Sequence, residues 1–295
     1  MQIRTVVAPV DFSTLSEREL ALAVEICRAF GARLVLHHNQ HGAPLAFARA
    51  WRWQEQHRAT QGRHAQDEHA LRELMARVPT DVPVEAVVSN GVAAPAILAV
   101  AEKLDADLLI VGSHGGDSDD HSSVVERLIA QSRCPVLAVQ EGVTSQAPLR
   151  LVAGEPAEVV VPVDFGGGTA ALLDYAFAMA SDLVLRLRLL HVLSVRTSRG
   201  AEDASAGREA ARVAAVVALD RLQELVPEAL RDRVVCTVTL GEAAATIVDA
   251  CRDADFLLIG EHAHGLRGLL THDTARDVLR RAPCPVWFVP PRLAA

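Results

Sequence analysis

The amino-acid sequence says nearly the same thing twice. VAPVDFS at Val7–Ser13 returns as VVPVDFG at Val160–Gly166, the apolar run leading into Gly112 returns ahead of Gly260, and RCPVLAV at Arg133–Val139 is echoed by PCPVWFV at Pro283–Val289. The pairs Asp11/Asp164, Gly91/Gly241, Gly112/Gly260 and Cys134/Cys284 are offset by 153, 150, 148 and 150 residues. A unit that long is a whole domain, not one turn of a solenoid. Two tandem domains follow, and each copy serves as a control for the other: a chemical group kept in one half and lost in the other marks a divergence in function.

Each half is long enough to bury its own core, and a composition 50% hydrophobic and 22% charged is ordinary for a soluble protein. The opening MQIRTVVAPVDFS has a short apolar stretch that ends at an Asp, which suits a buried strand better than a signal peptide. Nothing approaches the roughly 18 apolar residues of a membrane span. The five cysteines (Cys27, Cys134, Cys236, Cys251, Cys284) are odd in number and set in apolar surroundings. They read as reduced core thiols, and the expected location is the cytoplasm. A net charge of −8 with seven Phe, three Trp and one Tyr argues against a nucleic-acid groove, which needs basic stripes and stacking rings. Neither nucleic acid nor a membrane is an expected partner.

Short β-branched runs alternate with helical patterns in both copies, the signature of βαβ units and a parallel sheet. Strands are predicted near Thr5–Val10, Arg33–His38, Val84–Ser89, Leu108–Gly112 and Val136–Gln140, and again near Glu158–Val163, Arg186–Val192, Val234–Leu240, Phe256–Gly260 and Val286–Val289. Helical spacing covers Ser16–Phe30 and Ala94–Leu104, and Leu71, Leu74, Met75 and Val78 form the stripe of a helix packing on a sheet. Right-handed crossovers favour an open, doubly wound α/β architecture in each half. Glu141–Pro156 is rich in linker residues, which sets domains at 1–142 and 157–295 with 143–156 between them. The halves are expected to relate by a pseudo-two-fold axis, so that the monomer imitates a dimer of single domains; further homodimerisation stays open.

In a doubly wound sheet, ligands bind beyond the carboxyl ends of the strands at the switch point. This directs attention to Asp11, after VAPV, and to GSHGG, after LLIV. A glycine-rich turn entering a helix lets backbone N–H groups approach a phosphate. Ser122 and Ser123 stand ahead of the apolar pattern Val124, Val125, Leu128, Ile129, where they can cap a helix or offer hydroxyls to a phosphate. Asp11 either binds a ribose hydroxyl or hydrogen-bonds the turn that follows its strand. His37 and His191 are read as matching positions at the end of strand two, with a structural role. The insertion Gly42–Arg77 carries Trp51, Trp53, His57, His64 and His69; on a helix, His57, His64 and Glu68 share a face that could hold a metal, although a solvated helix is the plainer reading. No nucleophile elbow, no CxxC pair and no HExxH pair is present, so no catalytic constellation is expected.

Taken together, VAPVDFS, the Gly91 turn, ADLLIVGSHGG and the closing CPVLAV resemble a universal stress protein domain, and the second half resembles another. The resemblance implies a five-stranded parallel sheet of order 3-2-1-4-5 in each half. It also implies that a member that binds ATP, with Mg²⁺, does so through an Asp after strand one, here Asp11, the end of strand two, here His38, and a G-x2-G-x9-G-[ST] loop. In the first copy Gly112 and Gly115 match that loop, residue 125 is Val, and Ser122–Ser123 takes the final place only if the loop is shortened and the helix starts near Glu126. Asp117, Asp119 and Asp120 would repel a triphosphate unless Mg²⁺ intervened. In the second copy Ala263 replaces the second Gly and His272–Asp273 stands where Gly-Ser is expected. The expectation is a stress-response sensor or binding module with at most one degenerate ATP site, in the first half. The alternatives are a protein that binds no nucleotide and works through protein partners, or a metal or small-molecule carrier using the His-rich insertion.

Overall fold

The structure, a computed structural model, describes residues 2–12, 14–40, 66–113, 119–140, 143, 154–193, 201–260 and 272–290. The chain divides into two compact units, residues 2–136 and 137–295. In the first repeat the elements are β1 (Thr5–Pro9), α1 (Thr14–Phe30), β2 (Arg33–Gln40), α2 (66–77), β3 (Val84–Asn90), α3 (Ala93–Lys103), β4 (Leu108–Ser113), α4 (Asp119–Gln131) and β5 (Val136–Gln140). The second repeat runs β6 (Ala157–Pro162), α5 (Thr169–Asp182), β7 (Leu185–Leu193), α6 (Ala201–Glu224), β8 (Val234–Leu240), α7 (Ala243–Ala250), β9 (Phe256–Gly260), α8 (His272–Arg281) and β10 (Val286–Val289).

The strands of the first repeat stand in the order β3-β2-β1-β4-β5, and those of the second in the equivalent order β8-β7-β6-β9-β10. The pairs β1–β2, β1–β4 and β2–β3 are parallel, as are β6–β7, β6–β9 and β7–β8. The connections that leave strands one and four therefore run to opposite sides at the centre of each sheet, and this opens a crevice at the carboxyl ends of these paired strands. Parallel strands covered by helices on both faces read as unbroken apolar runs. Accordingly Val6, Val7, Ala8, Leu34, Val35, Leu36 and Leu108–Ile110 are fully buried, as are Val159–Val161 and Phe256–Ile259 in the second repeat.

The helical stripe expected on α2 packs as read: Leu71, Leu74 and Val78 are buried. The opposite face is solvated, with Arg72 paired to Glu68 at 3.0 Å and His69 to Glu73 at 3.4 Å. Glu68 thus serves an ordinary surface ion pair, and no metal-binding group of three occurs among the described residues. Trp51, Trp53, His57 and His64 lie outside the described residues, as do most of the linker, Gly115, Asp117 and Ala263.

Two sequence readings are corrected. First, α4 begins at Asp119 instead of near Glu126, so Ser122 and Ser123 lie within the helix rather than ahead of it and cannot be its caps. Asp119 and Asp120 open the helix, where negative charge is favoured by its dipole. Second, the register Pro9–His37 and Pro162–Leu190 matches His191 to His38, not to His37.

Two equivalent turns use glycine for different reasons. Gly91, after β3, has φ +119, a conformation that costs a side-chain-bearing residue free energy. In Gly241, after β8, the constraint is space: a Cβ would stand 2.5 Å from Thr246 Oγ1.

Candidate ligand clefts at the strand ends

At the end of β1 the backbone turns sharply. Val10 N donates to His37 O at 2.8 Å, continuing the sheet, while Val10 O accepts from His38 Nδ1 at 2.9 Å. Asp11 follows, exposed, and then Phe12 at φ 62. A left-handed phenylalanine costs about 1–2 kcal/mol. The conformation sets its ring 4.5 Å from the His38 ring, tilted by 37°. Because a carbonyl can only accept, His38 Nδ1 carries a proton, and Nε2 faces Asp67 Oδ2 of α2 at 3.5 Å. The same carboxylate oxygen accepts from Gln40 Nε2 at 3.1 Å. The first cleft is therefore floored by Phe12 and His38 and walled by polar groups.

His37 points the other way and is fully buried. Ser89 Oγ donates to Asn39 Oδ1 at 3.0 Å, so towards His37 Nε2, 2.7 Å away, it acts as acceptor. The ring's proton is thereby on Nε2, and among the described residues the buried Nδ1 has no hydrogen-bond partner. Burial, helped by neighbouring His38, pushes the His37 pKa down to about 4. Asn39 completes the chain by donating to Gly91 O at 2.9 Å. These bonds tie β2 to β3 and its turn; they are structural.

Glu19, on α1, is only 4% exposed. Burial, and then the charge of Asp11, pushes its carboxyl up to about 8, so at neutral pH it is protonated. The β1–β4 register Val6–Leu108 and Val7–Leu109 carries half-buried Gly112 alongside the end of β1. Asp11, His38 and Gly112 thus stand at or just beyond the carboxyl ends of three neighbouring strands. Glu19 and Asp67 were not among the expected site residues. Glu19 could have been found: it precedes buried Ala23, Ile26 and Cys27 by four, seven and eight residues, on the apolar face of its helix.

The second repeat keeps the floor and changes the walls. His191 Nδ1 donates to Val163 O at 2.6 Å, Phe165 has φ 57, and the two rings lie 4.7 Å apart. Asp164 Oδ1 accepts from Gly166 N at 2.8 Å and from Thr169 Oγ1 at 3.1 Å, holding the turn into α5. Glu19 is replaced by Leu172. In place of a carboxylate reaching over from the covering helix, the Arg221 guanidinium of α6 stacks 4.3 Å above the Phe165 ring.

Two tandem, doubly wound α/β repeats, each with a crevice at its switch point, define the class. The model of the universal stress protein family matches residues 2–140 and again 157–290. The chain belongs to the universal stress protein family, in a tandem two-domain form. Among solved structures, a universal stress protein from Archaeoglobus fulgidus DSM 4304 is similar at 17% identity and a TM-score of 0.67, over 98% of this chain and 97% of that one. A functionally unknown protein from Pseudomonas aeruginosa PAO1 is similar at 19% identity and a TM-score of 0.56, over 98% and 93% of the two chains. At such identities the likeness establishes the fold. No curated protein sequence gives a significant match.

Proposed function

We propose that this universal stress protein is a non-enzymatic binding module of the stress response, with one degenerate nucleotide site, in the first half. The observation that carries the reading is the divergence of two clefts built on the same Phe–His floor: Asp67 and Gln40 wall the first, whereas Arg221 stacks over Phe165 in the second. Carboxylates at Asp11 and Asp67 suit the hydroxyl and amino donors of a nucleoside. The phosphate end suits ATP poorly, because the acidic Asp119–Asp120 pair opens α4. ATP binding is accordingly weak and leans on Mg²⁺, which would offset the carboxylates. Hydrolysis would need a positioned base beside the γ-phosphate, and the sequence supplies no motif for one. Free thiols at all five cysteines fit a reducing compartment, so the cytoplasm is the proposed location. Among the described residues no helix is long and apolar enough to cross a membrane.

Calorimetry of the full chain with ATP, with and without Mg²⁺, tests the reading. Weak, Mg²⁺-assisted binding lost in Asp11→Ala and kept in Asp164→Ala supports it. Equal losses in both variants, or turnover of ATP, would overturn it.

A further inference from the structure

The cleft of the second repeat is not an eroded copy of the first; it has acquired walls of its own. Ala210, Val213, Ala214, Val217, Ala218 and Arg221 succeed one another on α6 at spacings of three and one, so they share one helix face, and this face lines a cleft of about 620 Å³ with Phe165, His191 and Leu193. A volume of that size, largely apolar with few polar groups, is typical of small-molecule sites. The alanines leave the space, while Val213 and Val217 are 54% and 53% exposed within it. Isolated apolar exposure is normal on a surface, but a contiguous apolar concavity marks a binding region.

One cation fixes what can enter. Arg221 spends the face of its guanidinium on Phe165, which leaves its N–H donors available in the ring plane. Among the described residues no carboxylate pairs with it. His191 is 6% exposed and its Nδ1 is committed to Val163 O; among the described residues its Nε2 has no hydrogen-bond partner, and the ring lines the cleft. Aligning Val78–Pro79 with Val226–Pro227 sets Glu73 opposite Arg221 and Asp67 opposite Ala215. Compared with the first repeat, the covering helix has therefore lost one carboxylate and turned another into a cation.

From this we infer that the second repeat binds an apolar monocarboxylate, with the carboxylate held by Arg221 and the hydrocarbon along Val213, Val217 and Leu193. Arg–carboxylate pairing is often bidentate, and the apolar wall offers a nucleotide phosphate nothing else to bind. The site is independent of the nucleotide reading of the first repeat.

The test is calorimetric titration of the full chain with decanoate and, as the uncharged control of equal length, 1-decanol. Decanoate should bind at least tenfold more tightly than decanol. Arg221→Gln should weaken decanoate by tenfold or more and leave decanol unchanged. Ala214→Leu, which fills the cleft from a helix surface position, should weaken both, and thermal melts of both variants show that the fold is retained. Asp11→Ala should change neither ligand, whatever it does to ATP. Absence of decanoate binding, equal affinity for the two ligands, or indifference to Ala214→Leu overturns the proposal. So does a dimer by light scattering that Ala214→Leu dissociates, since a second copy would then be the occupant.

Discussion

The bare face of Gly260 lies against Leu172: a Cβ built on the glycine would stand 3.2 Å from the leucine Cβ. This contact brings the end of β9 down onto α5, and it requires glycine for reasons of space. Gly260→Ala should destabilise the protein by about 1 kcal/mol, the overpacking cost exceeding the small gain that Gly→Ala brings through the unfolded chain. Trimming the neighbour should relieve it. In urea titrations the double variant with Leu172→Gly, which removes the contacted Cβ, should lose less than the two single losses combined, by about 0.5 kcal/mol or more; strict additivity would contradict the contact.

Glu19 occupies in α1 the place of Leu172 in α5, and this makes the stability of the protein depend on pH. Its ordinary pKa is 4.5 and its folded value about 8, so over that range the unfolded chain releases a proton that the folded protein keeps. Stability therefore falls as pH rises, by at most about 1.4 kcal/mol per unit. His37 acts in the opposite sense: its pKa drops from 6.5 to about 4 on folding, so stability is lost as pH falls through that window. The two slopes offset one another between 4.5 and 6.5, which leaves a net decline from 6.5 to 8. Glu19→Gln should abolish the decline and raise stability at pH 7.5 by on the order of 2 kcal/mol. Urea midpoints measured at half-unit steps would show it, and a wild-type curve already flat above pH 6.5 would refute the buried, protonated acid.

The aspartates after β1 and β6 should separate stability from binding. Asp164→Ala removes the acceptor of Gly166 N and Thr169 Oγ1 at the start of α5 and should cost about 1–2 kcal/mol of stability. Asp164→Asn, which keeps one acceptor oxygen, should recover half or more of it. Thermal denaturation with intact ATP binding in both variants is the expected pattern.

Ser89→Ala should cost about 1–3 kcal/mol, because it leaves the buried His37 Nε2–H without an acceptor while Nδ1 already lacks a donor among the described residues. A replacement that empties the site, His37→Leu with Ser89→Ala, should be milder than Ser89→Ala alone, since no buried polar group then remains unsatisfied. Chemical denaturation decides the order.

The fold was legible because every parallel strand buried on both faces leaves an unbroken apolar run, and because the chain states its pattern twice. Val234–Leu240 and Phe256–Gly260 were read to the residue. The family spacing, which puts a helix start near Glu126, competes with the Asp119–Asp120 pair, itself a good helix opening. Position near the strand end alone pairs His37 with His191, but in a strand a slip of one residue exchanges the two faces. The offset of Asp11 to Asp164 already pointed to His38. The cation–π contact of Arg221 with Phe165 joins residues 56 positions apart, and no local pattern announces such a pairing.

Phe12 and Phe165 hold the same costly backbone conformation in both halves, so each ring is a fixed pedestal and its surroundings are interchangeable. Selectivity then resides in a portable piece. Exchanging 66–77 with 214–225 would carry Asp67 one way and Val217 with Arg221 the other, and should transplant ligand preference between repeats with every strand left in place. Duplication has in this sense given the molecule two sockets of one gauge, each rewired through a single helix.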